Sequence, residues 1–274
     1  MNLPVKRAAI AQLCSTASKH KNLQNIAKCA NMAKQHGASM LFLPECFGFI
    51  GKSAQETLDN AEDIPKLNVP FQEEHTSTGR EAHWLSDLKQ IVETGEHLSQ
   101  AGSGADNVDT PPTSTSASTS EDAVQVSIVK GLRTIAVKSG LWISGGGLHE
   151  KGAPPKPDDV TKRSRVYNTH IIIDSEGKIV TKYRKVHLFS VSIPAQGLDL
   201  RESDTTAPGS KLVVCDSPIG KLGLSVCYDL RFPEMYAALV EEGGADVLLV
   251  PSAFTAPTGK AHWHTLLRCE CILD

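Results

Sequence analysis

Nowhere in the 274 residues do the roughly 20 consecutive apolar side chains of a membrane span occur. Nor is either charge in excess: 28 basic side chains face 31 acidic ones, for a formal net charge of −3. That balance removes the electrostatic case for a nucleic-acid partner or an anionic membrane surface. The N-terminus has no signal-peptide h-region, because its first apolar segment, Arg7 to Cys14, already alternates as a strand does. Order beginning so near Met1 leaves little room for a transit peptide. The 7 cysteines are an odd number without framework spacing, which argues against a disulfide scaffold and for a reducing, cytoplasmic compartment. The run Gly145-Gly146-Gly147 lacks the lysine of a phosphate loop and the spacing of a dinucleotide fingerprint. Close backbone packing is its expected role. His262 and His264, two apart on a helix, point away from each other, as do Cys269 and Cys271, so no metal site is expected.

What remains is an ordinary globular composition, 40% hydrophobic and 22% charged, long enough for one large domain covering 1–274. Strand one is expected at Arg7 to Cys14. A helix follows from Lys21 to His36, with Leu23, Ile26, Ala27, Ala30 and Ala33 on one face and Gly37 as its C-cap. Met40 to Pro44 is a short buried strand with Glu45 at its carboxyl end. The pattern weakens over 72–122, which is expected to be an insertion. Within it, His83 to His97 has the period of an amphipathic helix, whereas 101–122 has too few apolar residues to offset its ordering entropy and is expected to be disordered. Beyond it come a helix near Val124 to Ser139 and a strand from Leu141 to Ser144. Thr169 to Asp174 and Ile179 to Tyr183 form a hairpin with a glycine in its turn. Lys185 stands just after the second of these strands. Leu212 to Asp216 pairs with Lys221 to Cys227, then a helix from Pro233 to Glu242 and a buried strand from Ala245 to Pro251 complete the pattern.

Three apolar strands thus each deliver one polar residue at their carboxyl ends: Glu45, Lys185 and Cys227. Such ends are where sites form in α/β sheets. A cysteine can attack an amide carbon, a carboxylate can relay its protons, and a lysine can meet the oxyanion. Cys227, between a strand and a helix, is expected to be a thiolate stabilised by backbone N–H groups and the helix's positive end. No histidine has the context of a papain-type partner.

The stretches Leu43-Pro44-Glu45, Tyr183-Arg184-Lys185-Val186-His187-Leu188-Phe189 and Gly223-Leu224-Ser225-Val226-Cys227-Tyr228-Asp229-Leu230-Arg231-Phe232-Pro233-Glu234 closely resemble the nitrilase superfamily of carbon–nitrogen hydrolases, in the same order. Arg201-Glu202-Ser203, Pro251-Ser252-Ala253-Phe254, Ala261-His262-Trp263 and Leu266-Leu267-Arg268 extend the match. The wording is most similar to the Nit branch, whose assigned activity is that of a deaminated glutathione amidase. The resemblance implies an α/β fold, a four-layer αββα sandwich that pairs into a homodimer. It also implies a small-molecule amide substrate and no metal or organic cofactor. Carried onto this sequence, Glu45 is the base, Cys227 the nucleophile, and Lys185 with the Tyr228 N–H the oxyanion site. Glu202 orients the lysine or the substrate, and Arg231 either meets a substrate carboxylate or pairs with Asp229 or Glu234. Members of the superfamily usually continue past Arg268 with Ala-Arg-Ala-Ile-Glu and further strands, whereas this sequence reads Cys269-Glu270-Cys271 and ends at Asp274, with His264 in place of the acid usual after the tryptophan. On that comparison the C-terminal strands are missing. Two other readings remain open here: an omega-amidase or carbamoylase of the same superfamily, and an inactive, truncated binding module.

Overall fold

A computed structural model describes residues 6–71, 83–96, 126–160, 162–193 and 198–270. The first apolar segment gives β1 (Ala8–Ile10), shorter than the alternation suggests, and leads into α1 (Lys19–Gln35). Ser18 caps this helix by accepting from the Lys21 N–H, and Gly37 follows the last turn at φ 69°, the left-handed geometry that a glycine supplies without steric cost. Next come β2 (Met40–Phe42), α2 (Ala54–Asp59), α3 (His83–Thr94), α4 (Ile128–Ser139) and β3 (Trp142–Ala153). The expected hairpin is β4 (Arg165–Ile173) with β5 (Ile179–Arg184), its turn carried by Gly177 at φ 75°. A second hairpin, β6 (Ser190–Ile193) with β7 (Leu198–Arg201), was not expected from the sequence pattern. The chain continues through β8 (Val214–Ser217), β9 (Gly220–Leu224), α5 (Pro233–Glu241), β10 (Val247–Leu249) and α6 (Ala256–Glu270).

One sheet has the order β1-β2-β3-β4-β5, and a second has the order β10-β9-β8. Side-chain alternation places a core on each side of the larger sheet. Ile171 and Ile173 of β4 join Leu23, Ile26, Leu88, Ile91, Leu132 and Ile135 from α1, α3 and α4. Ile172, between them, joins Met40, Tyr183, Leu222 and Leu224 in the layer shared with the smaller sheet. Gly223 turns the other way, where a Cβ would meet Leu239 of α5 at 3.3 Å. The layers therefore run helix, sheet, sheet, helix. Each fully buried leucine or isoleucine contributes about 1.5–3 kcal/mol, so the repeated alternation fixes which face goes where. Among the described residues no helix is long and apolar enough to cross a membrane.

Two stretches bear on the sequence expectations. Among the described residues of 72–122, the amphipathic helix expected at His83 to His97 is α3, whose Trp84, Leu85, Leu88, Ile91 and Val92 are buried in the first core. The rest of the span, including 101–122 expected to be disordered, lies outside the described residues. The strand expected at Leu141 to Ser144 instead runs on through the three glycines to Ala153. Its pairing with β4 slips between Gly145 and Leu148, a bulge at the glycines.

Candidate active site

That bulge is where the site begins. A Cβ on Gly146 would lie 2.4 Å from the carbonyl oxygens of both Leu43 and Pro44, and one on Gly147 would lie 3.1 Å from Glu45 Cγ. Only bare backbone lets the end of β2 come so close, and the Cys46 N–H then donates to the Gly147 carbonyl at 2.8 Å. Gly146 and Gly147 thus pack backbone against backbone, the role expected of the glycine run, and what they pack against is the segment carrying Glu45.

Glu45 is buried. Asn168 Nδ2 donates to its Oε1 at 2.9 Å, and the Ala253 N–H donates to its Oε2, also at 2.9 Å. Lys185 reaches the same pocket from the end of β5, held by its own N–H on the Asn168 carbonyl and by the Gly209 N–H on its carbonyl. Its ammonium is only 2% exposed and lies 3.4 Å from Glu45 Oε1 and 3.0 Å from Glu202 Oε2. Glu202 directly follows β7 and is pinned by the Phe189 N–H at 2.8 Å and by Asn168 at 3.3 Å. The unforeseen β6–β7 hairpin is therefore the device that returns Glu202 to the lysine. Burial disfavours the Lys185 charge, but Glu45, Glu202 and Cys227 outweigh it and raise its pKa above the ordinary lysine value.

Cys227 stands at φ 49°, a left-handed backbone at the opening of a 3₁₀ turn, Cys227–Arg231, with its N–H on the Pro251 carbonyl at 2.9 Å. Its thiol is near enough to Glu45, Lys185 and the Ala253 N–H to be electrostatically coupled to all three. The expected thiolate is corrected here. Burial and the Glu45 charge push the thiol up to about 12, against the pull of Lys185 and Ala253. The helix dipole gives no relief, because a 3₁₀ turn separates the sulfur from α5, which starts at Pro233. The resting Cys227 side chain is a protonated thiol beside a carboxylate. Tyr228 follows in the same opening turn, where backbone N–H groups have no intrahelical acceptor.

Asp229 holds the turn in place. Its carboxylate accepts from the Val226 N–H, Tyr183 Oη, the His187 N–H and His187 Nδ1, all at 2.8–2.9 Å. An ion pair between Asp229 and Arg231 is therefore not formed, a second correction. Arg231 is exposed, with its guanidinium 5.7 Å from the centre of the Tyr228 ring.

Two residues near the cluster escaped the sequence reading. Asn168 bridges Glu45 and Glu202. His149 is electrostatically coupled to Glu45, Glu202 and Lys185. An asparagine inside a strand as apolar as β4 was the available signal for the first. Elsewhere, an open groove of about 430 Å³ runs along β1 and α1 between Arg7 and Met32, but no carboxylate lines it. Among the described residues no group of three or more His, Cys, Asp or Glu side chains is placed to hold a metal ion.

An αββα sandwich that gathers a cysteine, two glutamates and a lysine at its strand ends has the architecture of a carbon–nitrogen hydrolase of the nitrilase superfamily. The carbon–nitrogen hydrolase family profile matches residues 7–270, and the chain belongs to that family. Within it the similarity is to the Nit branch. The chain is 36% identical over 270 residues to the deaminated glutathione amidase of Dictyostelium discoideum, covering 98% of this chain and 70% of that protein. It is 34% identical to the human deaminated glutathione amidase, covering 96% and 61% respectively. It thus spans 61% to 70% of the length of these two curated relatives. The crystal structure of Caenorhabditis elegans NitFhit superposes with a TM-score of 0.63 at 30% identity, over 96% of this chain and 47% of that one. Saccharomyces cerevisiae Nit3, a member of branch 10 of the nitrilase superfamily, gives 0.59 at 28% identity, over 96% and 70%.

Proposed function

We propose that this chain carries the catalytic centre of a cysteine-dependent amidase and that its substrate is deaminated glutathione, cleaved to 2-oxoglutarate and cysteinylglycine. The observation that carries the reading is the convergence of the buried Glu45 carboxylate, the Lys185 ammonium 3.4 Å from it and the Cys227 thiol, which feels both charges. A thiol whose pKa is pushed up to about 12 does not ionise ahead of time at neutral pH. Proton transfer to Glu45 therefore accompanies formation of the carbon–sulfur bond.

The resulting oxyanion meets the Lys185 ammonium and the Tyr228 N–H, donors of a kind worth about 10²–10³ in rate each. Glu45 then returns its proton to the departing amine nitrogen as the carbon–nitrogen bond breaks, leaving a thioester on Cys227. Water replaces the amine, gives a proton to Glu45 and attacks the thioester. The proton on Glu45 goes back to sulfur as the acid leaves. A base in this role supplies about 10²–10⁴. Glu202, fixed by the Phe189 N–H, holds Lys185 toward the carbonyl throughout. Exposed Arg231, whose guanidinium is 5.7 Å from the centre of the Tyr228 ring, is the cation we assign to the substrate's 2-oxo carboxylate at the rim.

The names of the two amidase relatives support the substrate assignment. The six described cysteines are all free, which fits a cytoplasmic setting, and a homodimer formed through the outer helices completes the proposal. The test is intact-protein mass after incubation with deaminated glutathione. An added 2-oxoglutaryl group on the protein, absent from Cys227→Ala, is expected. Hydrolysis that persists in Cys227→Ala would exclude the mechanism.

A further inference from the structure

His149 and Asn168 are directly opposite each other in the β3–β4 ladder. Residues paired in this way point to the same face of a sheet. Asn168 uses that face to bond Glu45 and Glu202, so the His149 imidazole belongs to the same side, next to the reacting groups. Two other histidines in this layer differ from it. His170 has both ring nitrogens taken, by Ser144 Oγ at 2.7 Å and the Ser225 carbonyl at 3.0 Å, and His187 is bonded to Asp229. The His149 ring is half-buried and has no hydrogen-bond partner among the described residues. A polar ring placed beside the chemistry with its nitrogens unused is suited to a ligand.

The charges around it say what kind of group it takes. Glu45, Glu202 and Lys185 sum to one uncompensated negative charge in a buried site. A substrate carboxylate brought there would add a second, at a steep desolvation cost. Burial keeps the imidazole below its ordinary pKa despite Glu45 and Glu202, with Lys185 acting in the same direction as burial, so it remains a neutral donor and acceptor at pH 7.

We propose that His149 is a substrate-contacting residue whose uncharged imidazole hydrogen-bonds a neutral carbonyl or amide group next to the scissile bond, leaving the substrate's carboxylates to the rim. This rests on the amidase reading above. The experiment uses the full chain with His149→Leu, which removes the hydrogen bond, and His149→Gln, which can restore it. Deaminated glutathione turnover should show KM raised about tenfold in His149→Leu with a smaller change in kcat, and KM largely recovered in His149→Gln. Calorimetric binding of the same compound to Cys227→Ala, with and without each His149 substitution, gives a readout that needs no chemistry and is interpreted alongside thermal melting. Turnover with KM indifferent to both substitutions overturns the role of His149 and spares the amidase. His149-dependent binding without turnover in the parent chain upholds the contact and overturns the amidase. Neither binding nor turnover overturns both.

Discussion

Glu45 and Asp229 are both buried carboxylates with a full set of partners, yet they belong to different parts of the molecule's work. Asp229 is 0% exposed and accepts four hydrogen bonds, every one from a group fixed by the β5 end or the 3₁₀ turn. Its lone pairs are used up, and it has nothing left to offer a substrate. Glu45 holds two fixed donors, Asn168 and Ala253, and then two groups whose state can change: a thiol that can lose its proton and an ammonium that can turn to a new oxyanion. The number of hydrogen bonds does not separate scaffold from chemistry. An exchangeable proton does.

The sharpest way to break this distinction is to remove one charge from each. Glu45→Gln should lower turnover about 10³-fold while melting within a few degrees of the parent. Because Glu45 raises the Cys227 pKa, the same substitution should also shift iodoacetamide labelling of Cys227 to lower pH. A more acidic thiol in a dead enzyme would show that proton transfer, not thiolate supply, is what Glu45 provides. Unchanged labelling with undiminished turnover would erase the contrast with Asp229. Asp229→Ala should instead cost about 3 kcal/mol or more of stability, since it strands Tyr183, His187 and the Val226 N–H, and should appear as a lowered midpoint in urea.

His170 tests whether other saturated groups behave as Asp229 does. Burial pulls its pKa from 6.5 down to about 4, against the Ser225 carbonyl. The unfolded chain therefore binds a proton below pH 6.5 that the native state refuses until about pH 4. The stability from this neutral imidazole is full above 6.5 and is lost as pH falls toward 4, up to about 3 kcal/mol. Urea midpoints measured across that window should fall, and the slope should flatten in His170→Gln. Gly146→Ala sharpens the comparison from the Glu45 side. A methyl 2.4 Å from the Leu43 and Pro44 carbonyls should cost about 1–3 kcal/mol and, by displacing Glu45, reduce turnover more than the same loss elsewhere. Equal activity per folded molecule would show that the glycines serve packing alone.

The residues proposed to do the chemistry were legible because each ends an apolar strand. Met40 to Phe42 points at Glu45, Ile179 to Arg184 at Lys185, and Gly220 to Leu224 at Cys227, and period-two burial makes such ends conspicuous. Their supports were harder to read. Asn168 and His149 are interior strand residues, and nothing local says that their shared face is the site face, because that follows from a register slipped by the bulge. Arg231 looked like a partner for Asp229 because it is near in sequence, but Tyr183 and His187 arrive from a different strand and take every acceptor position.

The sequence alone set the order and kind of most elements and the three strand ends, because side-chain period and turn chemistry are local properties, whereas the four layers were implied by the family resemblance and the β6–β7 hairpin left no local signal. The protonation state of Cys227, the closure of Glu202 onto Lys185 and the role of Asp229 were decided only by the tertiary structure. Those depend on burial and on charges a few ångströms apart that the chain delivers from distant segments, and no local pattern records such distances.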